Sequence, residues 1–366
     1  FGLHMAELQM SRVVDHVVHL HPLRADLVRC LSARRALWAY GRALRQPTKH
    51  ANMLYKHSRE TESIEEFWSH SWHGPIWSKV LTLLILKNGL AAMVIGSLAA
   101  LTGCVLMFFK MLPIYGNVVL WSNIFGVFAC ALTLILWPSG TGIFLDIGCI
   151  KQSNATLRTQ GLLSLGGILK NSKSFLLLWD STYDQRLWCM FELSAYVHSR
   201  RLQSHGHGIV EETVTSIGPS MASICIRPSI LGPCAIVVFI WCSLFVSIYM
   251  LLMTLEISGT VFLIASLCPF FCLVYPAAAI FRRYWHEMDT FQQRLKSFKL
   301  ANTSCSCCAQ HPDSESHLCD KEVTRRCVSL WFGSEDIFEE TCQSVLQKAV
   351  TSNLGPHLFP YSLCLM

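Results

Sequence analysis

The chain has 366 residues, of which 52% are apolar and only 15% charged, with a formal net charge of +6 and a mean hydropathy of +0.38. A typical globular chain carries about a quarter charged residues, so this balance excludes a disordered protein or one that wraps nucleic acid. Seventeen cysteines without a recognisable secretory signal, many inside apolar runs, read as reduced, buried thiols rather than a disulfide scaffold.

Phe1 in place of an initiating Met reads as a fragment or a processed form. Residues 1–64 are expected to form a basic helical region. Val13, Val14, Val17, Val18 and Leu20 make one apolar patch at helical spacing, and Leu27, Leu31 and Leu37 make another. With eleven Lys/Arg against seven Asp/Glu up to residue 79, this region either lies along anionic lipid or forms a solvated helical pair.

Four stretches reach the roughly 20 apolar residues that a bilayer-crossing helix needs. They are 90–109 and 118–137, linked by KMLPIYGN, and 230–254 and 258–281, linked by LEI. None contains Asp, Glu, Lys, Arg or His, which argues for anchors rather than an ion or proton pathway. A pore assembled from several copies stays open. Of the thirty Lys/Arg, eleven fall in 1–79, eight in 138–228 and nine in 282–366. By the excess of basic residues on the cytosolic side, the expectation is an integral, multi-pass protein with both termini and the central segment in the cytosol.

Between the hairpins, residues 138–228 change character. TGIFLDI and KSFLLLWDSTY read as strands, the second a continuous apolar run typical of a parallel strand covered on both faces. SNATLRTQGLLSLGGILKNS and QRLWCMFELSAYVHSRR read as helices, and ASICIRPS as a further strand. Strand–helix repetition implies a parallel sheet, with ligands at the carboxyl ends of its strands. That places the 146–152 region and the turn after Trp179 at the functional edge. Asp180 and Asp184 are expected to cap the following helix.

After the fourth apolar stretch, RRYWHEMDTFQQRLKSFKL reads as an amphipathic juxtamembrane helix with Trp285, Phe291, Leu295 and Phe298 on its apolar face. Then Cys305, Cys307, Cys308, His311, His317 and Cys319 fall within fifteen positions. So many thiolates and imidazoles either close a tetrahedral, structural zinc site or form a reduced or palmitoylated cysteine cluster. Two more helices joined at 332–334 follow, with Ser334 as a cap. The chain contains no P-loop, GxGxxG, GxSxG, HExxH or kinase signature.

The stretch SFLLLWDSTYDQRLWCMFEL, with Tyr183, Trp188, Cys189, Glu192 and Leu193 at matching spacings, resembles the Toll/interleukin-receptor (TIR) domain pattern. IFLD (143–146) resembles that family's second strand, and EEFWSHSW (65–72) its first, which usually ends in a serine-containing turn. The layout is similar to a group of multi-span proteins of protists. The resemblance implies a flavodoxin-like α/β parallel sheet, interrupted by a transmembrane hairpin (90–137) and followed by another (229–281). Residues 65–89 then supply the first strand and helix, 138–228 the main part of the module, and 282–366 a cytosolic helical region. It implies one of two activities: a signalling module that self-associates or pairs with other TIR-like modules, or an NAD-cleaving hydrolase. In the second, Glu192 is catalytic and Trp188, Asp146 and Ser71 surround the NAD. The residues themselves leave Glu192 open as an ordinary carboxylate on an amphipathic helix, and Asp146 as a strand-end cap.

Overall fold

The computed structural model describes residues 2–112, 118–205, 224–228, 259–305, 307–308 and 319–354, with isolated positions at 232, 236, 239 and 243. Its strands are β1 (Arg29–Ser32), β2 (Arg59–Glu60), β3 (Ile64–His70), β4 (Gly142–Phe144), β5 (Ser172–Trp179) and β6 (Ile224–Pro228). The helices are α1 (Gly2–Val18), α2 (Ala33–Arg45), α3 (Pro47–His57), α4 (Ile76–Phe108), α5 (Val118–Leu136), α6 (Asp146–Cys149), α7 (Ala155–Leu163), α8 (Leu165–Lys170), α9 (Leu187–His205), α10 (Gly259–Lys296), α11 (Asp320–Phe332) and α12 (Glu335–Leu354).

The protein is mixed α/β with one six-stranded, mostly parallel sheet in the order β2-β1-β4-β3-β5-β6. β4, β3, β5 and β6 run parallel, while β1 and β2 add an antiparallel edge. The apolar run of β5 is buried over its last five residues, as a strand with both faces covered must be. Phe67 at the centre of β3 stacks between its register partners Phe144 and Phe175, with ring centroids 4.8 and 5.6 Å apart. Asn154 caps α7 by accepting from the Leu157 N–H at 3.0 Å, and Ser334 accepts from the Ile337 N–H at 3.2 Å. Counted in chain order, the parallel strands lie second, first, third, fourth, so the order reverses between β3 and β5. That crevice is the topological switch point, where open α/β sheets bind ligands.

The terminal regions depart from expectation. Residues 1–64 are not all-helical, and much of their apolar patch packs inside the protein. Val14, Val17, Leu20, Leu31 and Leu37 are buried in the core, and residues 29–32 form a strand between β2 and β4, with Leu31 and Ser32 paired to Ile143 and Gly142. α1 is fastened to α11, where the Trp331 indole N–H donates to the Val18 carbonyl at 3.0 Å. Phe291 and Leu295 of α10, and Phe298 just after it, are also buried. Phe291 sits edge-on to Trp179 at 4.1 Å, so this end of the helix closes the sheet rather than resting on a bilayer.

Four spans are expected from the sequence; among the described residues, one helix, α4, is long and apolar enough to cross a membrane. Its 33 residues make about 50 Å of helix. The first turns belong to the module, with Lys79, Leu83 and Asn88 buried. Beyond Leu90 the helix exposes Met93, Val94, Leu98, Leu101 and Phe108. α5 packs along it and is apolar over a shorter stretch, Trp121–Leu136. A Cβ at Gly96 would lie 2.9 Å from Cys130 Cβ, and one at Gly103 would lie 3.0 Å from Ser122 Cα. Small residues thus let the two helices close on each other, as in lipid-embedded pairs. Of the other two expected spans, 230–254 lies almost wholly outside the described residues, and 258–281 forms the start of α10.

Candidate functional site

The carboxyl ends of β3, β4 and β5 open into a cavity of about 660 Å³. His70, Ser71, Trp72 and His73 line it after β3, Asp146 and Gln152 after β4, and Arg186, Trp188 and Glu192 after β5. Arg158 of α7 and, from the C-terminal region, Ser304, Asp320 and Thr324 complete the wall. The residues expected from the sequence to surround a ligand, Glu192, Trp188, Asp146 and Ser71, therefore lie around one cavity, although they come from three strand ends.

Glu192 stands one helical turn after Trp188 on α9, and both are half-buried. Its Oε2 accepts from the Ser69 hydroxyl at 2.6 Å, and Ser69 Oγ lies 2.7 Å from the buried Tyr183 hydroxyl. Burial pushes the Glu192 carboxyl up to about 8; the Ser69 hydrogen bond opposes the rise and nearby Asp146 adds to it. At neutral pH this group is thus mainly a neutral acid. Asp146 is also raised by burial. It accepts from the Trp72 indole N–H at 3.0 Å and from the Ile147 N–H at 2.6 Å, so it opens α6 as its first residue, without capping it, and faces the cavity.

Ser71 is buried and hydrogen-bonds groups other than Glu192. It accepts from the Thr182 hydroxyl at 2.7 Å and from the His73 N–H at 3.2 Å. Beneath it, Lys79 from the first turn of α4 donates to the Ser71 carbonyl and pairs with Asp180 at 2.5 Å, both side chains almost wholly buried. Asp180, expected as a helix cap, is instead the anion of this ion pair; its other oxygen accepts from the Thr182 N–H at 2.8 Å. Asp184 pairs with Arg294 of α10 at 3.3 Å. A Cβ at Gly74 would overlap the Asp180 carboxylate and lie 2.8 Å from Lys79 Nζ, so the HSWHGP turn needs glycine there. A second ion pair, Lys87–Glu66 at 2.5 Å, joins α4 to β3.

Two residues at or beside the cavity are not signalled by the sequence, His70 in its wall and Ser69 behind it. Ser69 lies one strand repeat before Ser71 on the same face and is the actual partner of Glu192. His70 is buried edge-on to Trp72 at 4.4 Å. Burial and the Lys79 charge hold it down at about 3, so it is neutral, and its Nε2 has no hydrogen-bond partner among the described residues.

The Sγ atoms of Cys305, Cys307 and Cys308 lie within 4.8 Å of one another and could hold a metal ion. Cys308 and Cys319 are 3.6 Å apart. The described cysteines are free thiols. His311 and His317 lie outside the described residues.

The fold and site define a mixed α/β module with a switch-point cavity, joined to an exposed apolar hairpin. Compared with known proteins, the chain matches no family model, no curated protein and no solved structure.

Proposed function

We propose that the chain is a membrane-anchored, TIR-like signalling protein whose cytosolic module binds NAD in the switch-point cavity and cleaves its nicotinamide–ribose bond at Glu192. The observation that carries this reading is the cavity itself: a carboxyl, two indoles and two guanidiniums converge on a space large enough for a nucleotide. Trp72 and Trp188 offer stacking faces, and Arg158 and Arg186 offer charge to a pyrophosphate.

Cleavage breaks the C1′–N bond, whose electron pair leaves with neutral nicotinamide. Water adds at C1′ and releases its proton to solvent. The transition state gathers positive charge on the ribose, which a carboxylate at Glu192 stabilises. The pyridinium cation of NAD favours the ionised form of Glu192 on binding, countering the burial that otherwise keeps it neutral. Asp146 adds a second acidic group to the ribose side of the cavity. The apolar stretches anchor the module as a multi-pass protein with its termini in the cytosol. That orientation rests on the basic residues that flank the hairpins.

A purely associative module is the second reading. It is favoured by the Glu192–Ser69–Tyr183 network, which engages the carboxyl with the protein's own hydroxyls. NAD consumption by the detergent-purified full chain separates the two. Nicotinamide release by the wild type and its loss in Glu192→Ala supports the enzyme. No turnover in either protein, both folded, leaves an assembly module.

A further inference from the structure

We propose that Cys305, Cys307, Cys308 and Cys319 bind one zinc ion as a four-thiolate site that clamps the C-terminal wall of the switch-point cavity. The Cys305, Cys307 and Cys308 sulfurs cluster within 4.8 Å of one another and Cys319 comes within 3.6 Å of Cys308, close to the spacing of ligands around a tetrahedral zinc, whereas Cys305 and Cys307 stand 2.7 Å apart and must separate by about 1 Å to take the metal. With Zn–S bonds of about 2.3 Å, neighbouring sulfurs stand roughly 3.8 Å apart. Soft thiolates in this number select zinc over magnesium or calcium, which take oxygen ligands. Four thiolates on Zn²⁺ leave a net charge of −2, and the surroundings answer it. Cys319 is the N-cap of α11. The positive end of a thirteen-residue helix thus points at the thiolates.

The consequence for the cavity follows from what adjoins the cluster. Ser304, next to Cys305, is stitched to the segment before α9: its N–H donates to the Gln185 carbonyl at 2.7 Å, and the Leu187 N–H donates to the Ser304 carbonyl at 3.2 Å. On the other side, Asp320, Val323 and Thr324, just past Cys319, line the cavity. A metal joining 305–308 to 319 therefore fixes both halves of that wall relative to Trp188 and Glu192. This role is independent of whether the cavity is catalytic.

The test is elemental analysis of the full-length protein, purified in detergent under reductant without metal resins or chelators. About one zinc per chain is expected. Cys307→Ser and Cys319→Ser should each lower it about tenfold, while Cys104→Ser in α4 and the double variant His311→Gln/His317→Gln should keep it. Because the cysteine variants can misfold, the wild type is also stripped with a strong chelator and followed by hydrogen exchange. The amides of Leu187 and Ser304 should then exchange at least tenfold faster, and cobalt added back should give the thiolate charge-transfer band of a tetrahedral site. Wild-type protein with less than a tenth of a zinc per chain, or with these four cysteines disulfide-bonded or acylated, overturns the proposal. So does loss of zinc in the histidine variant, or exchange that chelation leaves unchanged.

Discussion

Replacing Glu192 by Gln keeps the shape and the Ser69 hydrogen bond but removes the titration, so it isolates the cost of ionising this carboxyl. Burial takes its pKa from the ordinary 4.5 to about 8. Between those values the folded protein holds a proton that the unfolded chain has released, so its stability falls as pH rises through the window. Below about 4.5 both states are protonated, and above about 8 both are ionised, so the loss is then complete. A rise of about 3.5 corresponds to a ceiling of about 5 kcal/mol at 1.36 kcal/mol per pKa unit. Glu192 is only half-buried and borders a cavity that admits water, so ~1–3 kcal/mol is the expected loss. Thermal unfolding in mild detergent, followed by tryptophan fluorescence from pH 5 to 9, reads it out. The Glu192→Gln advantage should be smallest at pH 5, grow with pH and level off above about pH 8. A constant offset, or one that shrinks with rising pH, refutes the argument that burial raises this carboxyl.

Lys79→Met should cost ~3–5 kcal/mol in the same assay, because it leaves Asp180 charged and unpaired in the core. Adding Asp180→Asn, which keeps an acceptor for Thr182, should recover much of that loss; equal instability of the single and double variants would count against the buried pair. Gly74→Ala should destabilise by more than about 2 kcal/mol, since its methyl meets the Asp180 carboxylate and Lys79 Nζ, and a midpoint like the wild type's would show that the turn relaxes freely. Leu98→Arg, placed on the exposed face of α4, should cost the 90–109 segment about 3 kcal/mol in a membrane-insertion reporter. Unchanged insertion would mean that this face does not meet lipid.

The α/β class was legible because its signals are local. An apolar run as unbroken as SFLLLW survives only where both faces are covered, and the helical spacing around Trp188 and Glu192 follows from the 3.6-residue turn. The edge of the sheet that carries the cavity was also legible, since ligands on parallel sheets bind at the carboxyl ends of the strands, but the reversal of strand order that opens the crevice between β3 and β5 was not. Residues 29–32 became a strand for a reason that local pattern does not carry: their pairing with β4, more than a hundred residues away. The valines of α1 were legible as an apolar patch, but not as core, because α11 covers them only when the chain's two ends meet. Ser69 was overlooked beside Ser71 because two residues along an extended chain share a face, Ser69 inside β3 and Ser71 just past its end; the crossing of α9 decided which of them meets Glu192. Asp180 read as a cap, and only the first turn of α4 supplied the buried lysine that makes it an ion pair. By itself, then, the sequence determined which segments must leave water and with what periodicity, because burial and backbone geometry are properties of neighbours along the chain. Tertiary structure alone decided which charges pair, which serine serves Glu192 and which thiols converge, because those depend on distances between segments that the chain's order leaves free.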